Sequence, residues 1–372
     1  MNKVAFADIF KFQRKSSFKA GQGLTEGSYP FYTSSPIVSK YLDSFQFSTP
    51  SLIFGTGGNA SVHIAETPFS TSTDCLVSNL TEKAKQQFEI KYAYYYLYGN
   101  IRILENGFKG AGLKHVSKEY IGKIEIPILP IEQQRMVIRT LDEANALRQK
   151  RKHAIDLLDE YLESVFLEMF GDPINNSKGW EIKHFKEVTD IKIGPFGSLL
   201  HKHDYIVGGV PLVNPTHIID KKIIVDLELT VTESKYEELR AYHLKVGDVV
   251  LGRRGEIGRC GIVSENENGY LCGTGSMFIR PRFEVNSTFL VYYISTQSFK
   301  KLLEDRAIGI TMKNLNAGTV QNMPVFAPPI ELQNKFAKIV TDAELLKQKM
   351  LMQSEKLDNQ FQALMQKNIF GK

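Results

Sequence analysis

Three arginines crowd one glycine-rich turn. Arg253, Arg254 and Arg259 lie in Gly252-Arg253-Arg254-Gly255-Glu256-Ile257-Gly258-Arg259. A guanidinium is a planar fork of donors that suits a phosphate or the O6/N7 edge of guanine. His201, Lys202 and His203 form a second basic cluster. Lys114-His115 and Lys313-Asn314 stand 199 residues apart, with Lys109 just upstream of the first pair. A lysine at such a shared place suits a backbone phosphate, and its variable neighbour suits a base edge. Asn59 closes a related loop, Gly55-Thr56-Gly57-Gly58-Asn59. Any one of these residues alone reads as a solvated surface charge or amide. As a set repeated along the chain they point to DNA contact.

Bond-making chemistry finds no comparable support. A phosphate-binding loop needs two glycines five apart followed by Lys and Ser or Thr, and the chain has none. The glycine loops here lead into strands rather than helices, so they read as tight turns at positive φ. Asp172 with Glu181-Ile182-Lys183 faintly resembles a nuclease carboxylate-and-lysine set, but Asp172 falls where a helix must end. Asn214-Pro215-Thr216-His217 lacks the second proline and the aromatic of an amino-methyltransferase motif. His201 and His203 without a third ligand do not make a metal site. The expectation is no catalytic residue, no metal and no cofactor in this chain.

The elements that must position these residues occur twice. Pro130-Ile131-Glu132-Gln133-Gln134 returns as Pro329-Ile330-Glu331-Leu332-Gln333, and eight of the 21 positions from 130 to 150 are identical at the same offset. Leu113-Lys114-His115-Val116 matches Met312-Lys313-Asn314-Leu315, Gly55 and Gly58 match Gly252 and Gly255, and Phe170-Gly171 matches Phe370-Gly371. The offset falls to 181 at Pro30 and Pro211, so the second copy carries about sixteen extra residues before Gly252. After each proline comes a heptad pattern. Ala144, Leu158 and Val165 share one register, with Leu147, Ala154 and Tyr161 as its expected companion. Ala343, Met350, Leu357 and Leu364 repeat the first register and Leu346 the second. Such spacing is a coiled-coil seam. Two helices of about 40 residues span roughly 60 Å each and bury their stripes best against one another, antiparallel if the copies are related by a two-fold axis. Within each copy, 50–54 and 247–251 read as short strands opening into the glycine loops. Residues 92–98 and 289–294 read as helices whose tyrosines belong to the core.

Composition sets outer bounds. The 372 residues allow two ordinary domains plus helices. With 42% hydrophobic and 23% charged residues the chain is globular rather than disordered. A net charge of +5 permits nucleic acid without demanding it. Cys75, Cys260 and Cys272 are too few and scattered for a disulfide framework, which points to a reducing, cytoplasmic setting. No leader-like apolar segment opens the chain and no run of 18 apolar residues occurs, so no membrane is expected.

These residues carry a resemblance to the specificity subunits of type I restriction–modification systems, over essentially the full chain. It rests on the doubled boundaries 126–134 and 323–333 and on Phe170-Gly171-Asp172-Pro173 followed by Gly179-Trp180. Gly194-Pro195-Phe196-Gly197 and Gly209-Val210-Pro211-Leu212 add to it. The first copy departs from the pattern by lacking a Gly179-Trp180 opening and starting at Val4-Ala5-Phe6. The resemblance implies an α+β fold with two tandem target-recognition domains, 1–129 and 173–328. Each precedes a conserved helix, 130–172 and 329–372, and the two helices pair as an antiparallel coiled coil. Each domain would bind one half of a bipartite double-stranded DNA target. The helices would set the gap and dock two methylation subunits that use S-adenosylmethionine on adenine N6. Restriction subunits, with ATP and Mg²⁺, would complete the endonuclease. Readings of another class are a coiled-coil adaptor that binds protein alone and a standalone nuclease or methyltransferase. Salt-sensitive DNA binding separates the first from the implied role, and activity of the pure chain separates the second.

Overall fold

The computed structural model describes residues 2–110, 112, 114–309 and 313–370. Leu113 and Met312 of the repeat, and Gly371, lie outside the described residues. The chain divides into two compact units, Met1–His153 with Leu351–Lys372, and Ala154–Met350.

The first unit is built on a four-stranded antiparallel sheet ordered Phe10–Phe12, Cys75–Leu80, Ser51–Gly55, Ser61–Ala65. Ser51–Gly55 is buried along its whole length, because Leu52 and Phe54 join one apolar cluster and Ile53 joins another. The helix Ile90–Gly99 packs on this sheet and sends Tyr92, Tyr95 and Tyr96 into the core. A smaller sheet pairs Tyr29–Tyr32 with Tyr41–Leu42 on one side and, in parallel, with Ser70–Thr71 on the other. Lys3–Ala5 pairs with Glu125–Pro127 and so closes the unit on itself.

The second unit repeats this plan. Thr189–Ile193, Ser276–Pro281, Val249–Gly252 and Cys260–Ile262 form the same four-stranded order. The helix Ser287–Ser295 supplies the buried Tyr292 and Tyr293, and Ile182–His184 pairs with Pro324–Phe326. The expected strands and aromatic helices are therefore present, and Tyr92, Tyr95, Tyr96, Tyr292 and Tyr293 belong to the core, whereas Tyr94 is partly buried and Tyr98 exposed.

The extra residues of the second copy divide into two insertions. Pro30 pairs with Tyr41, whereas Pro211 pairs with Thr230, eight residues further along the chain. That added length holds the hairpin Ile218–Ile219/Lys222–Ile223, whose turn puts Asp220 and Lys221 at φ +48° and +64°. Two consecutive left-handed residues match the twist of a two-residue hairpin. The second insertion holds the helix Glu233–Glu238, capped by the Thr232 hydroxyl, which accepts from the Lys235 amide.

Two helices, Ile131–Phe170 and Ile330–Phe370, run unbroken through 40 and 41 residues, and each contributes one segment to each unit. In the first unit Val137 and Leu141 share a core with Phe361, Met365 and Ile369, and Arg148 meets Asp358. In the second, Phe166 and Phe170 pack edge-on against Phe336, and Asp159 meets Lys347. Numbers rise on one helix as they fall on the other, so the paired segments are antiparallel in each unit.

The seam needs one correction. Ala144, Leu158, Val165, Leu357 and Leu364 are partly buried and Ala343 and Met350 fully so, as the first register requires. The companion register is displaced by one residue. Leu147, Tyr161 and Leu346 are 56%, 53% and 48% exposed, and Ala154 is only half-buried. The true companions are Gln134, Leu141, Arg148, Ile155 and Leu162, and in the second helix Gln333, Val340, Lys347, Ser354 and Phe361. Five of these ten are polar, which hides the stripe from a hydrophobicity pattern. Arg148 fits because its guanidinium lies over the Phe361 ring at 4.4 Å while its Nε donates to Asp358 at 2.5 Å. The first helix stops where expected, since Gly171 at φ +80° donates its amide to the Leu167 carbonyl.

Candidate nucleic-acid interface

In each unit the glycine loop after a central strand is held beside a second loop by the same backbone bonds. In the first unit Gly57 bridges His115, and His115 exchanges both main-chain hydrogen bonds with Lys109 at 3.0 Å. The Thr56 carbonyl accepts from the Val116 amide at 3.1 Å. In the second unit Arg254 bridges Asn314, Asn314 exchanges both bonds with Ile308, and the Arg253 carbonyl accepts from the Leu315 amide at 3.0 Å. These pairs are related by the offsets of the sequence repeat, so one loop scaffold is made twice from different side chains.

Glycine makes the scaffold possible at specific points. Gly58 and Gly255 turn their loops at φ +74° and +72°. Gly57 has an ordinary φ, but a Cβ there would meet Cε1 of His115 at 3.2 Å, so glycine lets the imidazole lie against the loop.

The two loop pairs expose different chemistry. Around the first, Asn59, Lys109, Lys114 and His115 are all exposed. His115 Nδ1 lies 3.1 Å from the Thr56 carbonyl, which can only accept, so Nδ1 carries the hydrogen of that bond. In the second, Arg254 and Asn314 are half-buried and Lys313 is exposed, with its ammonium 3.3 Å from the Glu304 carbonyl.

Arg253 and Arg259 do not fit the expectation of free guanidinium groups. Arg253 is 6% exposed. Its Nε donates to Asn314 Oδ1 at 3.0 Å, and burial together with the adjacent Arg254 pushes its pKa down. It holds Asn314 in place and does not face outward. Arg259 is occupied by an ion pair with Glu256 and by a 3.3 Å bond to the Pro215 carbonyl. Charge counting in the sequence cannot tell an arginine folded inward from one at the surface, because the backbone decides where the long stem goes. Arg254 makes no ion pair among the described residues and is the arginine of this turn with hydrogen-bonding capacity to spare.

The His201-Lys202-His203 cluster belongs to a different loop, just before the strand Tyr205–Ile206. The two imidazoles stack with centroids 5.2 Å apart. Asp204 accepts from the His201 amide, a bond that lowers its carboxyl pKa, and it lies 3.8 Å from His203 and 3.9 Å from Lys235. The cluster is thus partly neutralised in place. No hydrogen bond or ion pair joins it to the Arg254 loop among the described residues.

Three of the residues considered for catalysis, Asp172, Lys183 and His217, lie at bonding distance from other parts of the chain. Asp172 caps the chain after its helix by accepting from the Ile174 and Asn175 amides, and Lys183 pairs with Glu284 at 3.2 Å. His217 lies within hydrogen-bonding distance of the Leu212 carbonyl, 3.0 Å away. No helix among the described residues is long and apolar enough to cross a membrane.

Two features were missed in the sequence. Gln134 and Gln333, equivalent in the repeat, are fully buried. Gln134 accepts from the Glu89 amide and donates to the Gln87 and Leu129 carbonyls. Gln333 does the same with Asn286, Glu284 and Pro328. Their recurrence in the doubled boundary was visible, but a buried role for a glutamine was not. The orientation of Asn314 by Arg253 likewise carried no sequence signal, since 61 residues separate them.

A family model described as type I restriction modification DNA specificity domain matches twice, over residues 1–157 and 177–353. The chain is 23% identical over 374 residues to the type I restriction enzyme MjaVIII specificity subunit of Methanocaldococcus jannaschii, covering 93% of this chain and 86% of that one. The MjaIX specificity subunit of the same organism is 25% identical over 166 residues, which cover 44% of this chain and 38% of the relative. Among solved structures, the type I restriction-modification S subunit from M. genitalium superposes with a TM-score of 0.56 at 15% identity, covering 99% of this chain and 96% of that one. A chain from a study of complex assembly and conformational transition of the type I R-M system gives 0.60, also at 15%, covering 99% and 97%.

Proposed function

The chain belongs to the type I restriction–modification specificity family, and from that premise we propose that each unit reads one half of a bipartite double-stranded DNA target through its paired loops. The observation that carries this reading is the duplicated loop scaffold with unlike side chains, Gly57/His115 in one unit and Arg254/Asn314 in the other. An invariant backbone with interchangeable tips is what two different sequence readers of common descent require. Exposed Lys109 and Lys114 in the first unit, and Lys313 in the second, suit phosphates beside the bases read.

In this reading the two long helices set the gap between half-sites and dock two methylation subunits. Those subunits use S-adenosylmethionine to methylate adenine N6, and restriction subunits add ATP-driven translocation and Mg²⁺-dependent cleavage. The chain supplies the choice of sequence. About 60 Å of helix exceeds the ~34 Å of one DNA turn, so it is long enough for the task.

The test is to map methylated adenines in cells with and without this chain. The expected result is a two-part motif of fixed spacing that disappears with the chain. An unchanged methylation pattern rejects the reading.

A further inference from the structure

We propose that the two loop tips present opposite hydrogen-bonding polarity to DNA. His115 reads an exocyclic amino group on a base, and Asn314 with Arg254 reads guanine. The proposal rests on the reading of the units as DNA readers and goes beyond it by assigning the donor and acceptor roles.

The assignment follows from what holds each tip residue. The Thr56 carbonyl has no hydrogen to give, so the bond to His115 Nδ1 requires the ring to be the donor there. In the neutral ring Nε2 is then an acceptor. His115 is exposed, and Gly57 leaves space for the imidazole beside it. The groups on base edges that give a hydrogen in the major groove are adenine N6 and cytosine N4.

The second unit inverts this arrangement. A guanidinium has no acceptor, so Arg253 Nε must face the oxygen of the Asn314 amide. That fixes the amide against flipping and leaves Nδ2, with its two hydrogens, for an outside partner. Arg254, which occupies the place of Gly57, adds further donors next to it. Clustered donors match the O6 and N7 acceptors that guanine alone presents side by side in the major groove. Arg253 acts here through Asn314 and is a positioning residue. The buried guanidinium that spoiled the simple picture of a phosphate contact becomes the part that orients the reader.

The experiment uses the complete methylating complex and a target library, with the methylated motif sequenced for the natural chain and three variants. Asn314→Asp is nearly isosteric and can keep the bond to Arg253, but its free oxygen accepts. It is expected to change one position of the second half-site from guanine to a base bearing an amino group, with the first half-site unaltered. His115→Ala is expected to relax one position of the first half-site alone, by about tenfold in discrimination, as loss of a single base contact predicts. Arg253→Met is expected to relax the same position that Asn314→Asp alters. A merely structural Arg253 would instead lower methylation of all targets by one factor and leave base preference intact. Active variants with an unchanged motif, or changes in the opposite half-site, overturn the inference. Absence of any chain-dependent methylation with the natural chain would instead reject the DNA-reading role on which it rests.

Discussion

Gln134 and Gln333 show how much a single buried side chain ties together. Each amide satisfies one main-chain N–H and two carbonyls at the junction of a long helix with its globular unit. Removing the amide leaves three partly or fully buried polar groups without this partner, and an unpaired buried group costs about 1–3 kcal/mol. Gln333→Leu is therefore expected to destabilise the chain by about 2–4 kcal/mol in denaturant unfolding, although leucine is apolar and of similar size. A change below 0.5 kcal/mol would mean the junction is held by packing alone. Residue type was legible here, since both glutamines recur in the doubled boundary. Burial was not, because it depends on the chain segments 84–89 and 284–286 folding back over the helix starts.

At the scale of elements, the long helices carry their symmetry in ion pairs. Arg148 with Asp358 and Lys347 with Asp159 are the same pair under the 199-residue repeat, one in each unit. Pairs of this kind are partly solvated and worth about 0.2–1 kcal/mol. Lys347→Glu should cost about 1 kcal/mol by placing like charges together, and adding Asp159→Lys should recover most of it. A double variant no more stable than the single one would show that the two side chains are uncoupled. The apolar seam is worth more: Phe336→Ala removes a fully buried ring that touches Phe166, Phe170 and Tyr292, and should cost about 3–5 kcal/mol. Helix bounds and one seam register were legible from heptad spacing. The second register was misplaced because Arg148 and Lys347 occupy it. A cation satisfies a seam position only when a partner helix brings a carboxylate to it, and that partner lies about 190 or 210 residues away.

For the molecule as a whole, the proposed role makes helix length a determinant of target spacing. Inserting one heptad after His153 and another after Met350 preserves the contacts inside each unit. It adds about 10 Å of helix, close to three base-pair steps. The expected result is a methylated motif with a wider gap and both half-sites retained. The old gap with altered half-sites would contradict the spacer role. DNA binding by the complex should also weaken steeply as salt rises, through release of counterions from the phosphates. Binding indifferent to salt would favour a role through protein contacts alone.

The duplication, the two long helices, the α+β class and the glycine loops were written in the chain itself, because periodicity and offset are properties of order along it. What only the tertiary structure decided is which charges are used. Arg253, Arg254 and Arg259 are alike in composition and close in sequence, yet one is buried against Asn314, one stands beside it at the loop tip, and one is paired with Glu256. Those fates depend on bonds to residues brought in from elsewhere in the chain, and desolvation and geometry at such contacts exist only once the fold has formed.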